Sequence, residues 1–327
     1  MSGLSDAQAG GPGGRAGKIL VIRGGAIGDF ILTLPVLSAL RAQLPQARLE
    51  VLGYGHIARL ALAGGLAYEV RSIEARPLAA FFARSGELTP EWQTYFAEFA
   101  VIISYLYDPD EIFQANVARC SKAQFITGPH RPDEQAATHA TEVFLKPLER
   151  LAIFGADPAP RLALNPQPST LNQLALHPGS GSERKNWPEA KWAELLAALI
   201  RSTTTKLLVV GGEAEGDRLE RLACRLPPDR VELARNLPLV ELAGCLANCS
   251  AFVGHDSGIT HLAAALGLSG LALWGETAEA VWAPRSARMR LVRAGGGLRD
   301  LPVETVRREL AEVCQVHAGP ERSQGAD

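Results

Sequence analysis

The stretch that most constrains the fold is residues 251–265, Ala-Phe-Val-Gly-His-Asp-Ser-Gly-Ile-Thr-His-Leu-Ala-Ala-Ala. Its first three residues form the kind of short apolar run that makes a buried strand. Its end, residues 262–266, is small and apolar, as in a helix packed on a sheet. Between them lies a polar turn, so the order is strand, turn, helix. Asp256 or Ser257 can cap the helix, and Gly258 lets another backbone approach closely. A helix N-terminus presents unpaired N–H groups and partial positive charge, which suits a phosphate or an array of sugar hydroxyls. Alone, the pattern also fits an ordinary capped turn. Two further turns of similar character give it weight.

The theme recurs along the chain. Residues 18–22 read as a strand and residues 23–29 as a glycine-rich turn. A helix is predicted from there to about residue 44, with Phe30, Leu34, Leu37 and Leu40 on one face. A strand at 49–52 completes a βαβ opening, which implies parallel strands and a right-handed crossover. Strands are expected at 101–106 and 125–127, and a helix over 138–154 closes the first half. Prolines at 156–160 and 166–169 suggest a linker with a hinge near residues 156–170. In the second half, strands are predicted at 174–177, 207–210, 231–233, 251–253 and 271–274, with helices at 189–200 and 217–226 among those between them. This alternation defines an α/β chain with doubly wound sheets, whose ligands sit beyond the C-terminal strand ends. The expected organisation is a tail at 1–17, a first domain at 18–165, a second at 166–316 and a tail at 317–327. The helix after Val303 is a candidate to cross back to the first domain.

Charge and cysteine content remove several classes. The formal net charge is −2, from 33 Lys and Arg against 35 Asp and Glu. A general nucleic-acid binder normally carries a basic surplus. Five scattered cysteines give no disulfide framework. Cys245 and Cys249, four apart, read as small apolar residues of a reduced, cytoplasmic protein in preference to a zinc site. No apolar run approaches the roughly 20 residues of a membrane span, and residues 1–17 lack the apolar segment of a signal peptide.

Three turns carry candidate chemistry. In the first, Gly25 and Gly28 fit the last two glycines of a dinucleotide fingerprint, but Arg23 occupies the first, so a nicotinamide site is disfavoured. Asp29, where this turn meets its helix, reads either as an N-cap or as a carboxylate base facing an interdomain cleft. The second turn is His177-Pro178-Gly179-Ser180-Gly181-Ser182-Glu183-Arg184-Lys185-Asn186-Trp187-Pro188. Ser180, Gly181 and Ser182 offer N–H groups and hydroxyls, and Lys185 a mobile positive charge. That composition makes a diphosphate cradle, or else a solvated loop. The third candidate, residues 211–215, carries Glu213 and Glu215, either able to accept hydrogen bonds from ribose hydroxyls. Asp108-Pro109-Asp110 resembles a metal-binding D-x-D but is also ordinary turn chemistry, the favoured reading. His255, Asp256 and His261 lack a nucleophile in an elbow context, which sets a hydrolytic triad aside.

Taken together, these turns resemble those of glycosyltransferase family 9, the ADP-heptose:lipopolysaccharide heptosyltransferases. The similarity runs from about Lys18 to Arg293 and is anchored by residues 22–29 with Leu34-Pro35, by residues 177–180 with 185–188, and by residues 254–258 with 261–264. It implies a GT-B fold, two Rossmann-like doubly wound domains facing across a cleft, acceptor on the first and nucleotide sugar on the second. It implies an inverting transfer of heptose from ADP-heptose to a lipopolysaccharide-core, lipid-linked acceptor, with Asp29 as base. Lys185, Ser180, Gly181, Ser182 and the N–H groups around Asp256-Ser257-Gly258 would then stabilise the leaving diphosphate. Glu215, with Glu213 as its neighbour alternative, matches the ribose carboxylate; Asp256 and His261 lie at the donor sugar, and Gly25 and Gly28 shape the acceptor-side loop. The resemblance implies no metal site and no resident cofactor, the ADP-sugar being a substrate. It also implies a cytoplasmic enzyme in peripheral contact with the inner membrane. A transferase using another nucleotide sugar or glycan, or a non-catalytic nucleotide-sugar-binding module, is the rival. The chain departs from the family pattern at His255, at Glu276 in Trp274-Gly275-Glu276-Thr277, and from Ser104 to Cys120.

Overall fold

The computed structural model describes residues 17–164 and 172–317. The tails and the second proline cluster of the expected hinge lie outside the described residues. In the first half, β1 (Lys18–Arg23) leads into α1 (Ile27–Ile31) and α2 (Leu34–Gln43). Then come β2 (Arg48–Gly53), α3 (Gly55–Ala63), β3 (Glu69–Ser72), α4 (Pro90–Ala97) and β4 (Phe99–Ser104). The half ends with α5 (Ile112–Ala118), β5 (Gln124–Thr127) and α6 (Ala140–Leu145). The second half runs β6 (Gln173–His177), α7 (Glu189–Ser202), β7 (Lys206–Gly211), α8 (Arg218–Ala223), β8 (Val231–Arg235), α9 (Leu239–Ala247) and β9 (Ala251–His255). It closes with α10 (Gly258–Ala265), β10 (Ser269–Leu273), α11 (Glu279–Trp282), β11 (Met289–Val292) and α12 (Val303–His317).

Two parallel sheets result, in the orders β3-β2-β1-β4-β5 and β11-β10-β9-β6-β7-β8. Numbered within its own half, the second is a six-stranded doubly wound sheet in the order 3-2-1-4-5-6, and the first is the same pattern one strand short. β6, β9 and β10 are buried along their whole length, because helices cover both faces of a parallel sheet. Strand order reverses between β1 and β4 and between β6 and β9. Those two switch points are where such sheets bind ligands.

The long helix expected after the first turn is broken in two. The Thr33 hydroxyl donates to the carbonyl of Asp29 at 2.8 Å. Pro35, with no N–H, cannot continue the ladder from Ile31. The apolar face survives the break, since Phe30, Leu34, Leu37 and Leu40 are all buried. The helix expected over 138–154 likewise shortens to α6, because Pro147 opens a 3-10 segment that ends at Ala152 with φ 56°. The short edge strand β11 was not anticipated, nor were α3, α4 and α5. The described part of α12 packs on β10 and α7 of the second sheet, burying Val306, Leu310 and Val313.

The halves are closely joined. α1 packs on α10 and α3 on α9, and one apolar cluster runs from Leu37, Ile57 and Leu60 to Leu239, Leu242 and Leu262. At roughly 25 cal/mol per Å² of apolar surface, such a seam contributes to the stability of the closed arrangement. Among the described residues, no helix is long and apolar enough to cross a membrane.

Candidate active site in the interdomain cleft

The turns after β1, β4, β6 and β9 line a single cavity of about 920 Å³. Asp29 comes from the turn after β1, Tyr107 from that after β4, Lys185 from that after β6 and Asp256 from that after β9. Both switch points therefore open into the same space. Of the residues singled out by sequence, Gly25, Gly28, Asp29, Gly181, Ser182, Lys185, Asp256, Ser257, Gly258 and His261 line it. Ser180 and Glu215 lie behind the wall.

Asp29 sits in the first turn of α1. Its Oδ2 accepts the N–H of Ala26 at 2.9 Å; Ala26 is the N-cap and Asp29 the third helical residue, reaching back to it, so Asp29 is not the N-cap that one sequence reading offered. Its other oxygen lies 3.6 Å from a guanidinium nitrogen of Arg23, which is 2% exposed. This bond leaves the carboxylate 29% exposed, on the wall of the cleft. Arg23 donates to the carbonyl of His130 at 2.9 Å and stacks 4.4 Å from the Phe144 ring centroid. Burial lowers its pKa, and Asp29 opposes that shift. An arginine ends far above neutrality in either case, so it is a fixed positive charge behind Asp29. In the sequence Arg23 reads as a missing fingerprint glycine and as part of the first anchor of the resemblance, with no role of its own. The signal available was a charged residue closing an apolar strand that is otherwise buried.

On the opposite wall, Lys185 donates to Asp256 Oδ2 at 2.6 Å. Asp256 is 8% exposed and Lys185 42%, so the ammonium spans from a buried anion to open cleft. The Ser180 hydroxyl donates to the carbonyl of Ser182 at 2.8 Å and accepts its N–H at 3.2 Å. It folds the loop that presents Gly181 and Ser182. Ser257 is the N-cap of α10, its hydroxyl accepting the N–H of Thr260 at 3.3 Å. The ring of His261 is packed near Gly28 across the junction. Burial lowers the pKa of His261 to about 4, opposed by Asp256.

Glu215 accepts the N–H of Gly212 at 2.6 Å and lies 3.8 Å from His177 Nε2. A Cβ on Gly179 would fall 1.9 Å from its carboxylate. The second turn therefore rests on Glu215, and only glycine allows the approach. His255, fully buried, ties the same turn down from the other side. Its Nε2 accepts the backbone N–H of Trp187 at 2.8 Å, and its Nδ1–H donates to the carbonyl of Gly179 at 3.0 Å. Both nitrogens are used, which fixes the neutral tautomer. Burial pushes its pKa down to about 4. Its importance was not legible in sequence beyond its departure from the family pattern.

Asp108 accepts the N–H groups of Phe113 and Gln114 at 3.1 and 3.0 Å, so Asp-Pro-Asp is turn chemistry. Among the described residues no three His, Cys, Asp or Glu side chains gather as a metal site.

Two doubly wound domains facing one cleft define the GT-B fold. Among solved structures, E. coli ADP-heptose lps heptosyltransferase II superposes with TM-score 0.76 at 18% identity, covering 92% of this chain and 100% of that one. E. coli heptosyltransferase WaaC with ADP gives TM-score 0.70 at 19% identity, covering 90% and 99%. The family model for glycosyltransferase family 9 (heptosyltransferase) matches residues 149–301, a little under half of the chain. Lipopolysaccharide heptosyltransferase 1 of Pseudomonas aeruginosa is 42% identical over 96 residues, 28% of this chain and 26% of the relative. Lipooligosaccharide heptosyltransferase 2 of Haemophilus influenzae is 32% identical over 114 residues, 33% and 32% of the two chains. The matched segments thus span about a quarter to a third of these two curated relatives.

Proposed function

We propose that the protein transfers heptose from ADP-heptose to a lipid-linked core saccharide by direct displacement, with Asp29 as general base. One observation carries this reading: Asp29 and the Lys185–Asp256 pair line one cavity from opposite domains. The acceptor hydroxyl gives its proton to the Asp29 carboxylate as its oxygen attacks the anomeric carbon. The bond from that carbon to the diphosphate oxygen breaks, and ADP leaves with the electron pair. Attack from the face opposite the leaving group inverts the centre.

Arg23 and the Ala26 N–H hold Asp29 at the attacking side. Lys185, with the loop at Gly181 and Ser182 and the N-terminus of α10, receives the developing charge on the diphosphate. Preorganised donors of this kind are usually the largest electrostatic contribution to such a step. The resemblance makes Glu215 the ribose partner; it is 8% exposed and sits behind the Gly179 turn, so in this reading it acts on the nucleotide by supporting that turn. The ADP-sugar is substrate, not resident cofactor. The first domain, to about residue 165, takes the acceptor, and the second takes the donor. The lipid-linked acceptor places the work at the inner face of the bacterial inner membrane, reached by peripheral contact.

The test pairs binding with turnover. ADP, UDP and GDP are each titrated in a thermal-shift assay, where ligand at 100 times Kd adds about 2.7 kcal/mol. ADP alone should stabilise, and ADP-heptose should then be consumed with a core acceptor. Asp29→Ala should abolish transfer and leave ADP binding intact. Selective stabilisation by UDP or GDP would overturn the donor, and transfer persisting in Asp29→Ala would overturn the base.

A further inference from the structure

The two central strands of the second sheet each end in a histidine, and each histidine reaches across to the turn that follows the other strand. His255, at the end of β9, holds Gly179 and Trp187 of the turn after β6. His177, at the end of β6, returns the contact. Its Nδ1 lies 3.3 Å from the hydroxyl of Ser257, the N-cap of α10. The strands run side by side here, with His177 in register with Gly254.

His177 is buried behind the wall of the cleft. Burial holds its pKa down at about 3, so the ring is neutral and carries one N–H. Glu215 decides which nitrogen carries it. The carboxylate faces Nε2 at 3.8 Å, beyond hydrogen-bond length but close enough for its charge to favour an N–H there over a lone pair. Nδ1 is then an acceptor, and the Ser257 hydroxyl donates to it. The same hydroxyl oxygen accepts the N–H of Thr260 at 3.3 Å. The Thr260 hydroxyl gives its own proton to the carbonyl of His255. The Ser257 side chain is thus turned inward, between the imidazole and the first turn of α10.

The N-terminus of α10 and the turn carrying Gly181, Ser182 and Lys185 face one cavity from neighbouring strands. His177 is the first residue of that turn and the anchor of the α10 cap. We infer that His177 is a positioning residue for the donor: through the Ser257 hydroxyl, its Nδ1 sets α10 against the turn after β6, so that the two grip the diphosphate as one unit. This rests on the nucleotide-sugar reading and adds how the two anion-facing elements of that site are kept in register.

The test is a set of double-mutant cycles on ADP affinity, measured by isothermal titration of the full chain. In the parent chain the costs of Lys185→Ala and Ser257→Ala should depart from a simple product by at least threefold, as for groups acting together. His177→Asn places its carbonyl oxygen near the position of Nδ1 and keeps an acceptor for Ser257. His177→Gln places its amide near the position of Nε2 and keeps only the donor facing Glu215. The coupling should persist in His177→Asn and vanish, to within twofold of the product, in His177→Gln. His177→Gln should also bind ADP at least threefold more weakly than His177→Asn. Each variant buries one amide, so a ring that merely fills space predicts equal effects. Equal coupling in the two variants, or none in the parent chain, would overturn the inference. The imidazole nitrogen shifts of the parent chain test it without a variant: Nε2 should carry the proton and Nδ1 none, and a proton on Nδ1 would overturn the link to Ser257. A parent chain that binds no ADP would remove the nucleotide-sugar reading and this inference with it.

Discussion

Gly258 and Gly28 meet back to back where the two domains touch: a Cβ on Gly258 would lie 2.8 Å from the Gly28 backbone nitrogen and 2.7 Å from the Ile27 Cβ. The relation is not symmetric. A Cβ on Gly28 would find the Gly258 Cα at 3.6 Å and the His261 ring at 3.5 Å, ordinary contact distances. The proposed donor glycine is therefore also a tight contact between α10 and α1, and its smallness sets how near the two proposed site turns come.

Gly258→Ala should separate α1 from α10. Overpacking of this kind costs about 1–3 kcal/mol. Gly28→Ala should be near neutral, or slightly stabilising, because alanine favours the helix that position 28 occupies. Thermal melts of the two variants, run side by side, give the contrast. Equal destabilisation would show that the junction yields in ways the static contact does not convey.

Arg23→Lys should behave as a damaging change despite keeping the charge. The guanidinium reaches His130 and Asp29 at once while its Cζ sits 4.4 Å from the Phe144 ring centroid, and an ammonium cannot do all three. The side chain at position 23 is 2% exposed, and a buried charge left short of hydrogen-bond partners costs about 1–3 kcal/mol or more. The expected result is a lower melting temperature, with turnover falling more than ADP affinity, since Arg23 belongs to the Asp29 side. A loss confined to ADP binding would contradict the assignment.

Lys185 and Asp256 should respond in opposite directions to removal of their charge. Lys185→Ala leaves the buried Asp256 carboxylate facing the proposed diphosphate site, and ADP affinity should fall tenfold or more. Asp256→Asn releases the ammonium from its 2.6 Å bond, so ADP should bind at least as tightly as to the parent chain. Isothermal titration of both variants decides it. Weaker ADP binding in Asp256→Asn would mean that the carboxylate holds Lys185 in its working position more than it competes for it.

What sequence could show was local. Glycines, serines and caps mark the turns after β1, β6 and β9, and short apolar runs mark the central strands because those strands are buried on both faces. Apolar spacing could not show that the helix after the first turn breaks at Leu32-Thr33, since the buried face continues through the break. β11 is a four-residue edge strand with an arginine in it, which lacks the continuous apolar signal. The contacts that make the cleft are long-range: Arg23 with His130, His255 with Trp187, and Glu134 with Trp282, 148 residues apart. No periodicity encodes such pairs. Likewise, Glu215 was legible as a turn carboxylate, but not as the support beneath Gly179.

Buried neutral histidines should give the protein a distinctive acid response. Burial lowers the pKa of His177 to about 3, with His255 and Arg218 adding to the effect. His255 and His261 are lowered to about 4, chiefly by burial. The unfolded chain then binds more protons than the native one below the ordinary histidine value of 6.5, so stability falls as pH falls. It is fully present above about pH 7. Between pH 6.5 and 4.5 each histidine contributes a slope approaching about 1.4 kcal/mol per pH unit. Carboxylates lowered by arginine partners, such as Glu189 and Glu309, act in a lower window, below their ordinary 4.5. Denaturant melts at pH 7.5, 6.0 and 5.0 should therefore show a steep loss before most carboxylates titrate. His255→Gln keeps a donor and an acceptor at the ring's position but cannot take up a proton. It should be less stable than the parent chain at pH 7.5 and lose less on acidification. A slope unchanged by that substitution would remove His255 from the account and leave the acid response to His177 and His261.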